Sequence, residues 1–153
     1  MNLGLVQSIA DLSSRWRNRF SRSKVSSEER HVRGAQGEKL ACRFLRQKGY
    51  KVLHRNFKGN RGGQIDIVCR DRDTLVFVEV KTRSSADYGR PATAVHHNQQ
   101  RRISLGALTW LRMLDNPEIS FRFDVVEVLI VPDGKPRLEL VQNAFQLSKP
   151  YMY

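Results

Sequence analysis

The chain predicts an α/β fold, a mixed β-sheet flanked by helices. Three observations carry the prediction. Two segments space their apolar residues at helical intervals; five shorter runs are rich in Val, Ile and Phe; and the elements follow one another as α-β-β-β-α-β-β. The most apolar run, Leu75–Val76–Phe77–Val78, falls in the middle of that order, as a central strand covered on both faces would.

The first helix begins near Ser26. Ser26 and Glu29 have the spacing of a capping box, in which a hydroxyl and a carboxylate each satisfy an orphan backbone N–H. Ala35, Leu40, Ala41, Phe44 and Leu45 form its apolar stripe, and Gly49 ends it. A short strand follows at Lys51–Arg55, then a turn at Asn60–Gly63, which reads as a turn rather than a phosphate cradle because no helix follows it. The second strand is Gln64–Cys69 and the third Leu75–Lys81. Thr82 to Val95 is a polar loop with Gly89 and Pro91. The second helix runs from about Asn98 to Leu114, with Ile103, Ala107, Leu108 and Leu111 on one face. Arg101 and Arg102 sit in its first turns, where the helix dipole disfavours cations. Phe121–Ile130 is the fourth strand, and Asp133–Gly134 turns the chain into the last, Arg137–Val141.

Residues 1–27 differ in character. Ser13–Arg19 and Ser21–Lys24 are Arg/Ser-rich, and Val6, Ile9, Leu12 and Trp16 trace only a loose stripe. The stretch reads as a basic, mobile arm that either touches phosphate or is a plain extension. The expected organisation is therefore this arm, one domain over 28–145, and a tail at 146–153.

A length of 153 residues suits one domain with a real core. The charge balance is the unusual feature: 27 Lys+Arg against 15 Asp+Glu give a formal net charge of +12. Such an excess favours polyanionic partners, because each base that neutralises a phosphate releases counterions. A merely solvated basic surface has the same composition. Two isolated cysteines, Cys42 and Cys69, fit neither a zinc site nor a disulfide framework. No apolar run approaches the ~20 residues of a membrane span, and Met1–Ala10 does not read as a signal peptide. A cytoplasmic protein with no membrane partner is expected.

Three residues then stand out. Glu79 and Lys81, two apart in an apolar strand, project from one face. Burying either alone is costly. A strand end reaching water would explain Lys81 equally well, but less readily Glu79, which has a valine on each side. Asp66 is likewise ionisable and lies between isoleucines. A two-residue turn at Arg72–Asp73 sets Asp66 directly opposite Glu79, where like charges repel unless a cation lies between them. A three-residue turn sets Val78 there instead. Two carboxylates, waters and the Val80 carbonyl are hard oxygen donors suited to Mg²⁺ or Mn²⁺. Such an ion polarises a phosphoryl oxygen and acidifies a water, and Lys81 is placed to position that water or neutralise phosphate charge. Glu38 borders the apolar face of the first helix. It either reaches the same site or is a satisfied glutamate at a helix–sheet seam.

Gly34-x-x-Gly37-Glu38, Leu53-x-Arg55-Asn56, Gly63–Ile67, Phe77–Arg83 and Arg122–Val126 together resemble the bacterial YraN-type family of endonuclease-like proteins, over roughly residues 31 to 131. The resemblance implies the restriction-endonuclease-like fold of the PD-(D/E)XK nucleases, nearest in style to archaeal Holliday junction resolvases. It implies a helix acid at Glu38, a metal-binding Asp66, and a catalytic pair at Glu79 and Lys81. The family pattern has Glu where this chain has Gln64 and Lys where it has Gln99. The implied activity is Mg²⁺-dependent hydrolysis of DNA, branched or otherwise structured, with DNA preferred to RNA. Arg83, Arg90, Arg101 and Arg102, on the loop and helix after the site, are placed for phosphate contacts, although exposed arginines commonly have no specific role. A homodimer is an expectation by analogy alone. Gln64 and Gln99 motivate the alternative, a nucleic-acid-binding protein with a nuclease-like fold and little or no activity. A protein-interaction scaffold with an incidental basic surface is the third reading. Asp124 reads as structural, and His96–His97 as solvated.

Overall fold

A computed structural model describes residues 26–84 and 95–149. The expected basic arm up to residue 25, Arg90 and residues 150–153 of the tail lie outside the described residues. The chain divides into two units, Met1–His31 and Val32–Tyr153. Apart from the start of the first helix, every element below belongs to the second.

Helix α1 spans Ser27–Gln47. The capping box forms: the Ser26 N–H donates to Glu29 Oε2 at 2.8 Å and the Glu29 N–H to Ser26 Oγ at 3.1 Å. At the other end Gly49 takes a left-handed φ of 89°. The Tyr50 N–H then bonds to the Leu45 carbonyl and the Gly49 N–H to that of Arg46, the paired bonds that close a helix on a glycine.

Strands β1 (Lys51–Lys58), β2 (Gln64–Asp71) and β3 (Thr74–Ser84) form an antiparallel meander. Helix α2 (His97–Met113) crosses over to β4 (Ser120–Ile130), which lies parallel to β3, and β5 (Arg137–Phe145) returns antiparallel. The sheet order is β1-β2-β3-β4-β5. The α/β class and the mixed sheet are as the sequence predicts. Several strands run longer than their apolar runs, because ladder hydrogen bonds continue into polar residues. Thus β1 extends past Arg55 to Lys58 and β5 past Val141 to Phe145.

Each face carries its own core. On one, Ile103, Ala107 and Leu111 of α2 pack with Phe57, Ile65, Phe77, Phe123 and Val125. On the other, Ala41, Cys42 and Leu45 of α1 pack with Ile67, Cys69, Val76, Val78, Val126 and Val128. Burial pushes the Cys69 thiol up to about 12, so it behaves as a small core hydrophobe. Beyond Phe145 the chain stays docked: Leu147 packs on the α2-side core, and the Ser148 N–H donates to the buried Ser104 hydroxyl. Among the described residues no helix is long and apolar enough to cross a membrane.

A polar network ties the end of the sheet where β3 and β4 begin. Asp124 is fully buried; it accepts from Arg122 Nε at 3.0 Å and from the Asn143 N–H at 2.9 Å. Arg122 Nη2 reaches Asp71 and the Tyr50 hydroxyl, which also accepts from Gln142. Burial opposes the Arg122 charge, but the hydrogen bonds to Asp124 and Asp71 outweigh it and raise its pKa. Asp124 is structural, as expected.

Two glycines let the helices approach the other end. A Cβ on Gly37 of α1 would lie 1.8 Å from Thr82 Oγ1 of β3, and one on Gly63, just before β2, 2.3 Å from the Gly106 backbone nitrogen of α2. The second contact is backbone on backbone, so no side chain can move aside. Gly63→Ala is therefore expected to cost roughly 1–3 kcal/mol, the range for overpacking. Gly34→Ala on α1, where nothing lies within 4 Å, is expected to be neutral or to gain up to about 1 kcal/mol from helix propensity. Urea denaturation of the two variants checks this; equal effects would contradict the close approach.

Candidate active site

The site begins where two strands part. The β2–β3 ladder runs Asp71–Thr74, Arg70–Leu75, Cys69–Val76, Val68–Phe77 and Ile67–Val78, so the turn is the two-residue one at Arg72–Asp73, with Arg72 at a φ of 53°. Asp66 and Glu79 occupy the next position in that register, but the ladder stops short of them. From here β2 stays paired only with β1, as far as Lys58–Gln64, and β3 only with β4, as far as Ser84–Ile130. Ile65 and Ile67, expected on one face, enter opposite cores. β2 is thus wrung about Asp66. The Asp66 carboxylate takes over the lost ladder bond: its Oδ2 accepts the Val80 N–H at 2.8 Å.

A cavity of about 220 Å³ opens at this fork. Glu38 of α1 lines it from one layer, and Gln99, Arg102 and Ile103 of α2 from the other. Gln64 and Asp66 come from β2, Glu79 and Val80 from β3. An intact sheet would keep the helices of its two faces apart, but at a fork both reach one space.

The charges inside are crowded. Glu79 is only 7% exposed. Burial first, then the Glu79 charge and then that of Glu38, push the Asp66 carboxyl from 3.8 up to about 7, against the pull of the Val80 N–H. Glu79 Oε1 lies 3.3 Å from Lys81 Nζ. Gln99 bridges this pair: its Nε2 donates to Glu79 Oε1, and its Oε1 accepts from Lys81 Nζ. At the rim Arg102 Nη2 donates to Gln64 Oε1 at 2.7 Å.

Most of the expected site residues therefore converge. Glu38, Gln64, Asp66, Glu79, Val80, Gln99 and Arg102 line one cavity, and Lys81 is bonded to two residues that line it. Arg101 is exposed beside them and does not line the cavity. Arg83 is half-buried further along β3 and acts electrostatically on Glu127. His96 and His97 are exposed, as expected; His96 precedes α2 without a side-chain cap, and no acid lies in the first turn.

Glu127 is the residue the sequence reading missed. It pairs across β4 with Lys81, and its Oε1 is buried with no hydrogen-bond partner. Burial raises its pKa, Glu139 adds to this, and Arg83 opposes it. The signal was available: Glu127 lies between Val126 and Val128 just as Glu79 lies between Val78 and Val80.

Among the described residues no three His, Cys, Asp or Glu side chains are grouped so as to hold a metal ion by themselves. The donors that fit one are the Asp66 and Glu79 carboxylates with the Val80 carbonyl, all oxygen, the chemistry Mg²⁺ and Mn²⁺ take when waters complete the shell.

A mixed five-stranded sheet with a helix on each face, and acidic groups with a lysine at a strand fork, define an α/β protein of restriction-endonuclease-like arrangement. The profile of Uncharacterised protein family UPF0102 matches residues 37–128, and the chain belongs to that family, the YraN family of the sequence resemblance. It is similar to a UPF0102 protein of Geobacter sulfurreducens, 45% identical over 122 residues covering 80% of this chain and 94% of the relative. A UPF0102 protein of Geobacter metallireducens is 48% identical over 115 residues, covering 75% and 93%. One of Rhodococcus opacus is 45% identical over 112 residues, covering 73% and 94%.

The Asp66 pKa sets a stability signature. Unfolded, Asp66 ionises near 4; folded, it holds its proton to about 7. The folded state thus binds the extra proton between these values, so stability falls as pH rises from about 4 to about 7 and is level above. Asp66→Asn keeps an acceptor for Val80 and removes the charge. It is expected to stabilise the protein at pH 8 in EDTA, on the order of a few kcal/mol at most, and to change little at pH 4. Thermal melts at the two pH values check this, and an equal loss of stability at both would refute the crowded-carboxylate account.

Proposed function

We propose that the protein is a Mg²⁺- or Mn²⁺-dependent endonuclease that hydrolyses phosphodiester bonds in DNA, with branched or otherwise structured DNA as the preferred class. One observation carries the reading: half-buried Asp66 and buried Glu79 bring two carboxylates together at a fork in the sheet, with the Lys81 ammonium 3.3 Å from Glu79. Two like charges this close cost folding stability, and perturbed carboxylates in a cavity mark candidate functional sites.

The roles follow from the contacts. Asp66 and Glu79 present carboxylate oxygens, and the Val80 N–H fixes the orientation of Asp66. Gln99 holds Glu79 and Lys81 in one geometry. Lys81 supplies positive charge where a phosphoryl group gains negative charge. Glu38 adds an acid from the opposite layer, and Arg102, at the rim, is placed for the next phosphate. A bound divalent ion supplies Lewis-acid polarisation and acidifies a water.

The alternative, a nucleic-acid-binding protein with little or no activity, draws on one contact: Gln99 and Glu79 already engage the Lys81 ammonium. Cleavage separates the two readings. On linear, flapped and four-way DNA with Mg²⁺ or Mn²⁺, cleavage is expected that EDTA abolishes. Asp66→Ala and Glu79→Ala are expected to abolish it, and Lys81→Ala to slow it by roughly 10²–10³-fold, the usual loss for one charge-stabilising group. Absence of cleavage of DNA or RNA across the panel would end the enzymatic reading, and binding that survives Asp66→Ala would then support the alternative.

A further inference from the structure

The bases of this protein are unevenly distributed. From Lys39 to Arg70 every exposed charged residue is Lys or Arg, and the one acid in the stretch, Asp66, is in the cavity. The region from Arg112 to Glu139 is mixed, with exposed Asp115, Glu118, Asp133 and Glu139 among its bases. The bases of this stretch are carried by two neighbouring elements, α1 and the edge strand β1. Lys39, Arg43 and Arg46 are exposed on α1, and Lys51, Arg55 and Lys58 on β1, the edge strand. Arg46 and Arg55 both act electrostatically on Cys42, which places the end of α1 beside the middle of β1. No described acid forms an ion pair with any of these six.

This surface leads to the cavity. Lys58 pairs with Gln64, which lines the cavity and holds Arg102 at its rim. From Lys58 back to Lys51, the strand covers roughly 23 Å at ~3.3 Å per residue, about the rise of seven base pairs at ~3.4 Å each. Among the described residues no Phe, Tyr or Trp is exposed on this surface, and the exposed large hydrophobic residues are Val32, Leu53, Met113 and Leu114, none of them aromatic. Phe57 is buried, and the His54 ring is engaged with Phe57 and Trp110. Single-strand binders depend on such stacking platforms, whereas a duplex is held by its phosphates alone.

We propose that the β1 edge and the adjoining outer face of α1 form a track for one arm of a nucleic-acid duplex, running from the cavity mouth at Lys58 to Lys51. The track is distinct from the arginines that follow the site in sequence. It rests on the nuclease reading for where it leads, not for the binding itself.

The test uses the full chain carrying Asp66→Ala, in EDTA, so that cleavage plays no part. Fluorescence anisotropy with a 30-base-pair duplex is measured from 50 to 300 mM salt, for the parent, Lys51→Glu/Arg55→Glu, and the control Lys135→Glu/Arg137→Glu at the opposite edge. The track variant is expected to bind at least ~10-fold more weakly at 100 mM salt and to lose about 2 from the slope of log K against log salt, near 1 per phosphate contact. The control is expected to stay within about 3-fold. Equal effects of the two variants, tighter binding of a single strand than of the duplex, or tighter binding of anionic phospholipid vesicles would each overturn the track. A protein that binds duplex through Lys51 and Arg55 but never cleaves leaves the track standing and removes the nuclease reading. One that cleaves while ignoring these substitutions does the reverse.

Discussion

Past Ile67 and Val78 the second and third strands separate, and the hydrogen bond from the Val80 N–H to Asp66 holds the gap in a fixed shape. A strand edge opened inside a sheet would leave buried backbone donors unpaired, at a cost of about 1–3 kcal/mol each. A carboxylate is the side chain that accepts such a donor while keeping a second oxygen free. Without Asp66 the fork would either close into ordinary ladder or expose its amides. With it, β1 can carry β2 one way and β4 can carry β3 the other. The helices meet at the gap because Gly37 and Gly63 remove the side chains that would hold them off. Glu38 and Gln99 reach one cavity from opposite sides of the sheet by way of this gap.

The two ends of the sheet follow opposite rules. Around Arg122 each charge has an opposite partner: the Asp124 carboxylate is matched by guanidinium and backbone N–H, and Asp71 shares the same guanidinium. At the fork like charges crowd: Asp66 and Glu79 repel and Glu38 adds to the repulsion, with Lys81 as the opposite charge beside Glu79, and α2 starts without a side-chain cap. Sequences that agree with their fold at every level elsewhere and break the rules in one place do so where function requires it. The satisfied end anchors the strands, and the crowded end holds the cavity.

Much of this was legible in the chain. The capping box at Ser26, the Gly49 stop and the order of elements along the chain are local rules, and local residues enforce them, whereas the turn that sets Asp66 in register with Glu79 was one of two open readings that the structure decides. What escaped depends on contacts between distant segments. Alternation puts Ile65 and Ile67 on one face, whereas the folded chain sends them to opposite cores, beside Asn56 of β1 at a φ of 52°. Glu38 could be read equally as a seam glutamate or a site acid, because its role depends on Gly37 meeting Thr82, 45 positions away in sequence. Glu127 was passed over although its valine neighbours match those of Glu79. Its meaning comes from lying across from Lys81 in a parallel pair that α2 creates.

The two amides that depart from the family pattern are the least expected part of the geometry. Read as isolated losses of charge, Gln64 and Gln99 weaken a nuclease site. In the structure each has a defined partner. Gln99 donates to an acid and accepts from a base at once, which a lysine, having no acceptor, cannot do. Gln64 accepts from Arg102 without neutralising it, whereas a glutamate there would form an ion pair and cancel the charge at the rim. A neutral Gln64 leaves one fewer negative charge beside Asp66, already crowded by Glu79 and Glu38, and a neutral Gln99 spares Lys81 a second cation at close range. The pair is better understood as one alternative solution to placing acids, a lysine and an arginine around the same fork.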